Sequence, residues 1–264
     1  MITAILIFLI VSSVYILMIL PRLVNRADMS GLLEDYAHRG LHSKTLPENS
    51  IGAFKAAVDK GVGIELDIQL SKDGVPMVFH DDDLKRVCGI DRKLSEFTAE
   101  ELRNIKLLDS EYTIPTFEDV LSVVNGRVPL LVEFKPGGRE LCRRGCDMLD
   151  EYNGRFCVES FDSTLLRKIK KYRPKFVRGQ LVGDMFKSKK PKNPILKFLL
   201  TFMMLNFMSR PDFIAIDKSL RHNLSIGICR RVIKTPTFVW TVKNEEEYEK
   251  SKRDGLIPIF DNYN

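Results

Sequence analysis

From Asp35 onward, short apolar runs alternate with longer amphipathic ones, and this alternation predicts a parallel α/β fold, specifically a (β/α)8 barrel. Two further observations support the barrel. About 230 residues follow residue 34, the usual size for eight strand–helix units. Nine candidate strands can be counted, and one must be a return strand. Only eight residues, Gln69 to Pro76, lie between the strand holding Glu65 and the strand holding His80, whereas a parallel crossover takes a dozen or more. Those two strands are therefore expected to pair as an antiparallel hairpin, turned by Ser71-Lys72-Asp73-Gly74. At 44% hydrophobic and 29% charged residues, the chain is neither disordered nor a multi-span membrane protein.

Residues Ile2 to Leu20 carry no charge, and at 1.5 Å per residue they extend roughly 28 Å, close to the hydrocarbon thickness of a bilayer. A signal peptide would want a basic leading region and a small-residue cleavage site, and neither precedes Pro21. The expectation is a transmembrane anchor over residues 1–20, a polar tether over 21–34 and the barrel over 35–264. Arg22 and Arg26 are the first basic residues and follow the span, which predicts a single-pass chain in the cell membrane with its C-terminal domain cytoplasmic. Five cysteines in no dense pattern fit a reducing compartment.

The expected strands are Tyr36–His38, Ile64–Ile68, Met77–His80, Leu130–Phe134, Phe156–Ser160, Arg178–Val182, Phe213–Ile216, Phe238–Val242 and Ile257–Asp261. Helical patterns lie near 50–60, 98–106, 116–124, 139–152, 163–172, 195–208, 221–233 and 244–253. The stretch from Ile195 to Met208 is apolar nearly all round, and fourteen residues are too few to span a bilayer. Two readings stand: a buried barrel helix, or an interfacial helix presenting Phe198, Phe202, Met204 and Phe207 to lipid beside the lysines of 187–192.

Chemistry concentrates at strand ends. Glu65 and Asp67, at i and i+2 on one strand, share a face, and two anions aimed at one buried spot are costly without a cation. Glu133 ends another candidate strand. Three carboxylates suit one divalent cation, Mg2+ or Ca2+, better than Zn2+. Lys135 shares the face of Glu133 and can reach an anion. His38 and His80 sit at strand ends beside the carboxylate strand in chain order, an arrangement suited to acid and base roles. His42 and His222 fall in loop or helix-start settings and read as structural. Arg39 offers a guanidinium fork for phosphate. Trp240, the single tryptophan, lies on a strand where it would wall a pocket or fill the core.

These residues form a recognisable set. His38-Arg39-Gly40, Pro47-Glu48-Asn49-Ser50, Glu65-Leu66-Asp67 and Lys72-Asp73-Gly74 resemble the pattern of glycerophosphodiester phosphodiesterases. So do His80-Asp81 with Leu84 and Arg86, Glu133-Phe134-Lys135, Ser160-Phe161-Asp162 and Trp240-Thr241-Val242. The resemblance covers residues 35 to about 261. It implies a TIM barrel with one divalent cation. It also implies Glu65, Asp67 and Glu133 as metal ligands, with Glu48 near the metal, and His38 and His80 as the acid–base pair. Arg39 and Lys135 become phosphate contacts, and residues 82–115 an insertion beside the site. Ser50 stands where the family has Thr, Lys243 precedes Asn244 after the Trp-Thr-Val run, and the closing segment Gly255 to Tyr263 departs from the family's.

The expected reaction is metal-assisted cleavage of a glycerophosphodiester, or of a lysophospholipid-like diester drawn from membrane lipid, to an alcohol and a glycerol phosphate. Water and the neighbouring glycerol hydroxyl are both candidate attacking oxygens. The rival is a membrane-tethered headgroup-binding module without turnover, which would lack a histidine or a ligand, and none is missing. Nucleic acid is not an expected partner, because the basic run from Lys187 to Lys192 adjoins an apolar segment without interleaved aromatics.

Overall fold

An uncharged helix opens the chain, and a closed sheet follows it. The structure, a computed structural model, describes residues 1–189 and 191–261; Lys190 and residues 262–264 lie outside it. In chain order the elements are α1 (Ile2–Ile19), β1 (Tyr36–Ala37), α2 (Ile51–Asp59), β2 (Gly63–Leu70), β3 (Pro76–Val78), α3 (Lys85–Cys88), α4 (Ala99–Leu102), α5 (Phe117–Val124) and β4 (Leu130–Phe134). Then come α6 (Gly138–Asp150), β5 (Phe156–Ser160), α7 (Ser163–Tyr172), β6 (Arg178–Val182), α8 (Pro194–Thr201), α9 (Asn206–Ser209), β7 (Phe213–Asp217), α10 (Leu224–Gly227), β8 (Thr237–Val242), α11 (Glu245–Arg253) and β9 (Ile257–Phe260).

Among the described residues eight strands are parallel neighbours, β1, β2 and β4 to β9, and β1 pairs with both β2 and β9, so the barrel closes. The strands alternate their side chains between two apolar environments. Tyr36, Leu131, Cys157, Phe213 and Phe238 pack together inside the barrel. Ile64, Leu66, Leu130, Val132 and Val158 face outward and pack under the helices. The same alternation fixes which side chains point into the mouth.

β3 lies antiparallel to β2, with Ile68 opposite Val78 and Leu70 opposite Pro76. Beyond it the Phe79 N–H donates to the Asp67 carbonyl at 3.0 Å, and the Gln69 amide donates to the carbonyls of Phe79 and Asp81, each at 2.8 Å. The returning chain therefore delivers His80 beside Asp67. Residues 82–115 gather around an apolar cluster of their own, in which Leu84, Val87, Leu94, Leu102, Leu107 and Ile114 pack on Met77 and Phe79.

Three helical patterns come out shorter than expected. The 98–106 pattern yields only Ala99–Leu102, capped by Thr98. The 221–233 pattern divides into α10 and a π-helical turn over Ile228–Val232. The 195–208 pattern breaks into α8 and α9 around Met203, whose φ of 54° ends the first helix. The break lets a segment that is apolar all round bury Met203 and Asn206 while Phe198 and Phe207 stay exposed. Phe202 and Met204 are half-buried.

Residues 21–34 are no loose tether. Arg22 pairs with Asp212 at 3.2 Å and its N–H donates to the Pro211 carbonyl. Met29 and Leu32 plug the foot of the barrel interior.

Candidate active site

The mouth is built around the turn that leaves β1. Gly40 has φ of 81°, and a Cβ there would lie 2.9 Å from the Ala53 carbonyl carbon, so only glycine lets α2 sit this close. Ser50 caps α2, its hydroxyl accepting from the Ala53 N–H. A hydroxyl is all that the cap requires, which explains why serine serves where threonine is usual. Arg39 and Asn49 both hold left-handed backbone, with φ of 56° and 55°, a strain that persists only where surrounding structure fixes it. Here the fixing bonds are Asn49 N–H to the Arg39 carbonyl, 2.9 Å, and Arg39 N–H to Glu65 Oε2, 2.8 Å.

Glu65, Asp67 and Glu133 converge from β2 and β4, where Asp67 and Glu133 are register partners. All three are buried, and one oxygen of each lies within 4.8 Å of the others. Two cations brace them. Lys135 Nζ is 2.8 Å from both Asp67 Oδ1 and Glu133 Oε1, and the Arg39 guanidinium is 3.6 Å from Asp67 Oδ2. Asn49 donates its side-chain N–H to the same Asp67 oxygen at 2.9 Å. Burial, with the charges of Asp67 and Glu133, pushes the Glu65 carboxyl well up. Burial and Asp67 likewise push Glu133 up, against the pull of Lys135. Burial acts upward on Asp67 too, but Lys135, His80 and Arg39 outweigh it and hold Asp67 down. Three carboxylates facing two cationic heads leave negative charge unbalanced. Hard oxygen donors at this spacing could hold a divalent cation such as Mg2+ or Ca2+.

Both histidines are oriented through Nδ1. Asp261 accepts from His38 at 2.7 Å and Asp81 from His80 at 2.5 Å. An ionised carboxylate only accepts, so each Nδ1 carries the proton and each Nε2 is free to work. Burial lowers both imidazole pKa values, the aspartate bonds opposing it. His42 Nε2 lies 3.4 Å from the Asp261 oxygen that His38 uses. Glu48 stands apart from the carboxylate cluster: Arg39 donates to Oε1 at 2.6 Å, and Arg86 donates to both oxygens at 2.7 Å while also reaching Asp81 at 2.7 Å. That chain of pairs ties the insertion to His80.

His38, Arg39, Glu65, His80, Glu133 and Trp240 line one cavity of about 90 Å³ at the mouth. Its far wall is apolar, made by Phe161, Leu181, Trp240 and Ile259. The Trp240 indole N–H donates to the Ala215 carbonyl at 3.2 Å, and its ring meets Phe161 edge-on at 5.7 Å. A larger cleft of about 660 Å³ lies against α5 and α6, and none of these residues borders it.

Sequence reasoning passed over Asp261, Asp81, Asn49 and Arg86 as working parts, although each lies inside a motif already quoted. It missed Glu159 altogether. Glu159 is register partner to Glu133, 1% exposed, with Oε2 unpartnered, and it lines the same cavity. Burial and the charges of Glu65 and Glu133 push its carboxyl well up. The signal was available: Glu159 shares a strand face with Cys157 in an otherwise apolar run.

A closed barrel of parallel strands with two oriented imidazoles and a carboxylate triad at its mouth places the chain among the α/β-barrel enzymes, whose working groups gather at that end of the strands. Residues 38–263 match the Glycerophosphoryl diester phosphodiesterase family, and the chain belongs to that family, whose members are phosphoric diester hydrolases. Among its relatives, a glycerophosphodiester phosphodiesterase of Caldanaerobacter subterraneus subsp. tengcongensis is 37% identical over 242 residues, 84% of this chain and 91% of that one. The Thermotoga maritima glycerophosphodiester phosphodiesterase structure superposes with a TM-score of 0.68 at 27% identity, covering 87% of this chain and 95% of that one. An Oleispira antarctica phosphodiesterase, solved with the product sn-glycerol-3-phosphate, shares the fold with a TM-score of 0.72 at 23% identity over 87% and 93% of the two chains.

Proposed function

We propose that this chain hydrolyses a glycerophosphodiester, or a related lipid-derived phosphodiester, to an alcohol and a glycerol phosphate. One observation carries the reading most: two Nδ1-anchored histidines, Glu65 and Glu133 border a single cavity, and Asp67 clusters with the two glutamates. Glu65, Asp67 and Glu133 would hold one divalent cation, Mg2+ or Ca2+. When bound, that ion supplies charge neutralisation at the phosphate's non-bridging oxygens. Arg39 and Lys135 add positive charge on the phosphate, and Trp240 walls the side where the substrate's carbon skeleton lies. Of His38 and His80, one takes the proton of the attacking oxygen at Nε2 and the other delivers a proton to the leaving alcohol. Asp261 and Asp81 hold the rings in the tautomer that this exchange needs.

Residues 1–20, with a mean hydropathy of 2.8 over Ile2–Ile19, favour a cell-membrane location as a single span. The barrel, with its 82–115 insertion, then sits on the cytoplasmic side.

The test uses the full chain in detergent with glycerophosphodiesters of several headgroups. Release of alcohol and glycerol phosphate, stopped by chelator and restored by Mg2+ or Ca2+, is the expected result. His38→Ala and His80→Ala should each lose roughly 10²–10⁴-fold in turnover, the usual worth of an acid–base group. A loss under tenfold in either variant removes that residue from the mechanism, and binding without turnover by the wild type defeats the hydrolase reading.

A further inference from the structure

His42 is the imidazole beside the mouth that the reaction leaves unused. It lies between the His38-Arg39-Gly40 and Pro47-Glu48-Asn49-Ser50 motifs and belongs to neither. Its Nε2 nevertheless meets the Asp261 oxygen that accepts from His38 Nδ1. One ligand atom from each of His38, His42 and Asp261 lies within 4.8 Å of the others. Among the described residues, the Glu65, Asp67 and Glu133 cluster is the only other group with that property.

Backbone bonds hold all three residues in place. The His38 N–H donates to the Phe260 carbonyl, the His42 N–H to the Gly40 carbonyl and the Asp261 N–H to the Val242 carbonyl, each at 2.9 Å. Their side chains are 17%, 26% and 24% exposed, in that order. The group is thus fixed at its base and open at its tip, which gives an ion a route in and a water as a further ligand. Four-coordinate Zn2+, with nitrogen and oxygen ligands at about 2.0–2.2 Å, sets those ligands roughly 3.3–3.5 Å apart. His42 Nε2 and Asp261 Oδ1 already stand at 3.4 Å, long for a hydrogen bond and right for a shared metal. His38 Nδ1, 2.7 Å from the same oxygen, has to open by roughly 0.6–0.8 Å to reach that spacing.

We infer that His38, His42 and Asp261 form a second metal site, selective for a borderline transition ion such as Zn2+, and that an ion bound there switches hydrolysis off. The switch rests on reading His38 as one of the acid–base pair. The donor set selects the ion: two imidazoles and one carboxylate suit Zn2+, whereas three carboxylates suit Mg2+ or Ca2+. Coordination replaces the Nδ1–H bond of His38 by a bond to the metal, and the proton passes to solvent. A neutral imidazole bound through Nδ1 keeps its remaining proton on Nε2. Whichever role His38 takes, it must gain and lose a proton at Nε2 in each turnover, and the metal-bound ring no longer does so. Asp261 is drawn to the ion at the same time and ceases to orient the ring. The carboxylate cluster is untouched, so added Mg2+ does not relieve the block.

The test titrates the full chain, in detergent and with saturating Mg2+, with Co2+, whose visible d–d absorption reports four-coordinate binding where Zn2+ is silent. One equivalent of Co2+ should develop the band, Zn2+ should abolish it, and more Mg2+ should leave it unchanged. His42→Gln keeps an N–H for Asp261 but removes the imidazole, and His42→Ala removes both. Each should weaken Co2+ binding at least about tenfold, since a lost ligand costs no less than a lost outer-shell partner. No band, a band unchanged in both variants, a band lost to Mg2+, or one accompanied by thiolate charge-transfer absorption overturns the site. In the activity arm, Zn2+ should inhibit wild-type hydrolysis of a glycerophosphodiester in the same Mg2+ buffer. Both His42 variants should keep wild-type turnover without Zn2+ and need at least about tenfold more of it for half-inhibition. Equal sensitivity to Zn2+, or inhibition that Mg2+ relieves, overturns the switch. A wild type with the His42-dependent band but no turnover in Mg2+ or Ca2+ overturns the hydrolase reading instead, and the metal site stands.

Discussion

Burial of ionisable groups with unequal compensation sets the chemistry at the scale of single residues. Glu48 illustrates it. Burial pushes its carboxyl up from 4.5, but hydrogen bonds from Arg86 and the charges of Arg39 and Arg86 outweigh burial and bring it to about 2. A folded-state pKa below the unfolded one gives stability that is present above about 4.5 and lost as pH falls toward 2. The full shift corresponds to on the order of 3 kcal/mol. Glu48→Gln should therefore be less stable than wild type at pH 7, and the gap should close between pH 4.5 and 2 in chemical denaturation. A gap that stays constant across that range would show that Glu48 contributes through packing rather than charge. The network also shows what sequence cannot display. Asp81 and Arg86 are neighbours in one motif, but Glu48 lies 38 residues before Arg86, and only the hairpin and insertion bring it to them. Glu159 was open to reading by strand parity, because a carboxylate on an inward face of an apolar strand has few explanations besides a site.

Elements were readable where local periodicity decides them and misread where tertiary packing does. β4 and β7 are short, mostly apolar runs, and a buried parallel strand has few alternatives. α8 and α9 were read as one helix because the apolar pattern is continuous, and nothing local says that Met203 must turn inward. The polar composition of residues 21–34 predicts a tether, because the groups that hold the segment, Pro174, Pro211 and Asp212, are distant in sequence. The position of α2 depends on Gly40 and on the Ser50 cap, both legible as motif residues but not as geometry. Ser50→Ala removes the acceptor for the Ala53 N–H in a buried cap and should cost about 1 kcal/mol or more. Ser50→Thr should restore it, since the hydroxyl is retained. The check is a pair of denaturant midpoints with unchanged slopes. Equal stability of alanine and threonine variants would mean that α2 is held by packing alone, and Arg39 would then owe its placement to Glu65 rather than to the cap.

On the scale of the whole molecule, the barrel assembles a charge distribution that is unfavourable until something is added to it. β2, β4 and β5 bring Glu65, Asp67, Glu133 and Glu159 to one end of the barrel, and Arg39 and Lys135 only partly answer them. Buried anions with incomplete partners lower stability, so the ion-free fold should carry a penalty that a cation removes. This yields two effects of opposite sign from one substitution. Glu65→Gln keeps an oxygen to accept the Arg39 N–H, preserves volume and deletes one negative charge. Without a divalent ion it should melt above wild type, because burial and the Asp67 and Glu133 charges are what push the Glu65 carboxyl up. With saturating Mg2+ or Ca2+ the order should reverse. Wild type gains stability in proportion to the logarithm of ion concentration over Kd, about 2.7 kcal/mol at a hundredfold excess, whereas the variant gains little. Differential scanning calorimetry of the full chain in detergent, with chelator and with each ion, measures both halves. A variant that melts below wild type in chelator shows Glu65 to be a structural acceptor, and a variant that keeps the full ion-induced rise places the ion somewhere other than between β2 and β4.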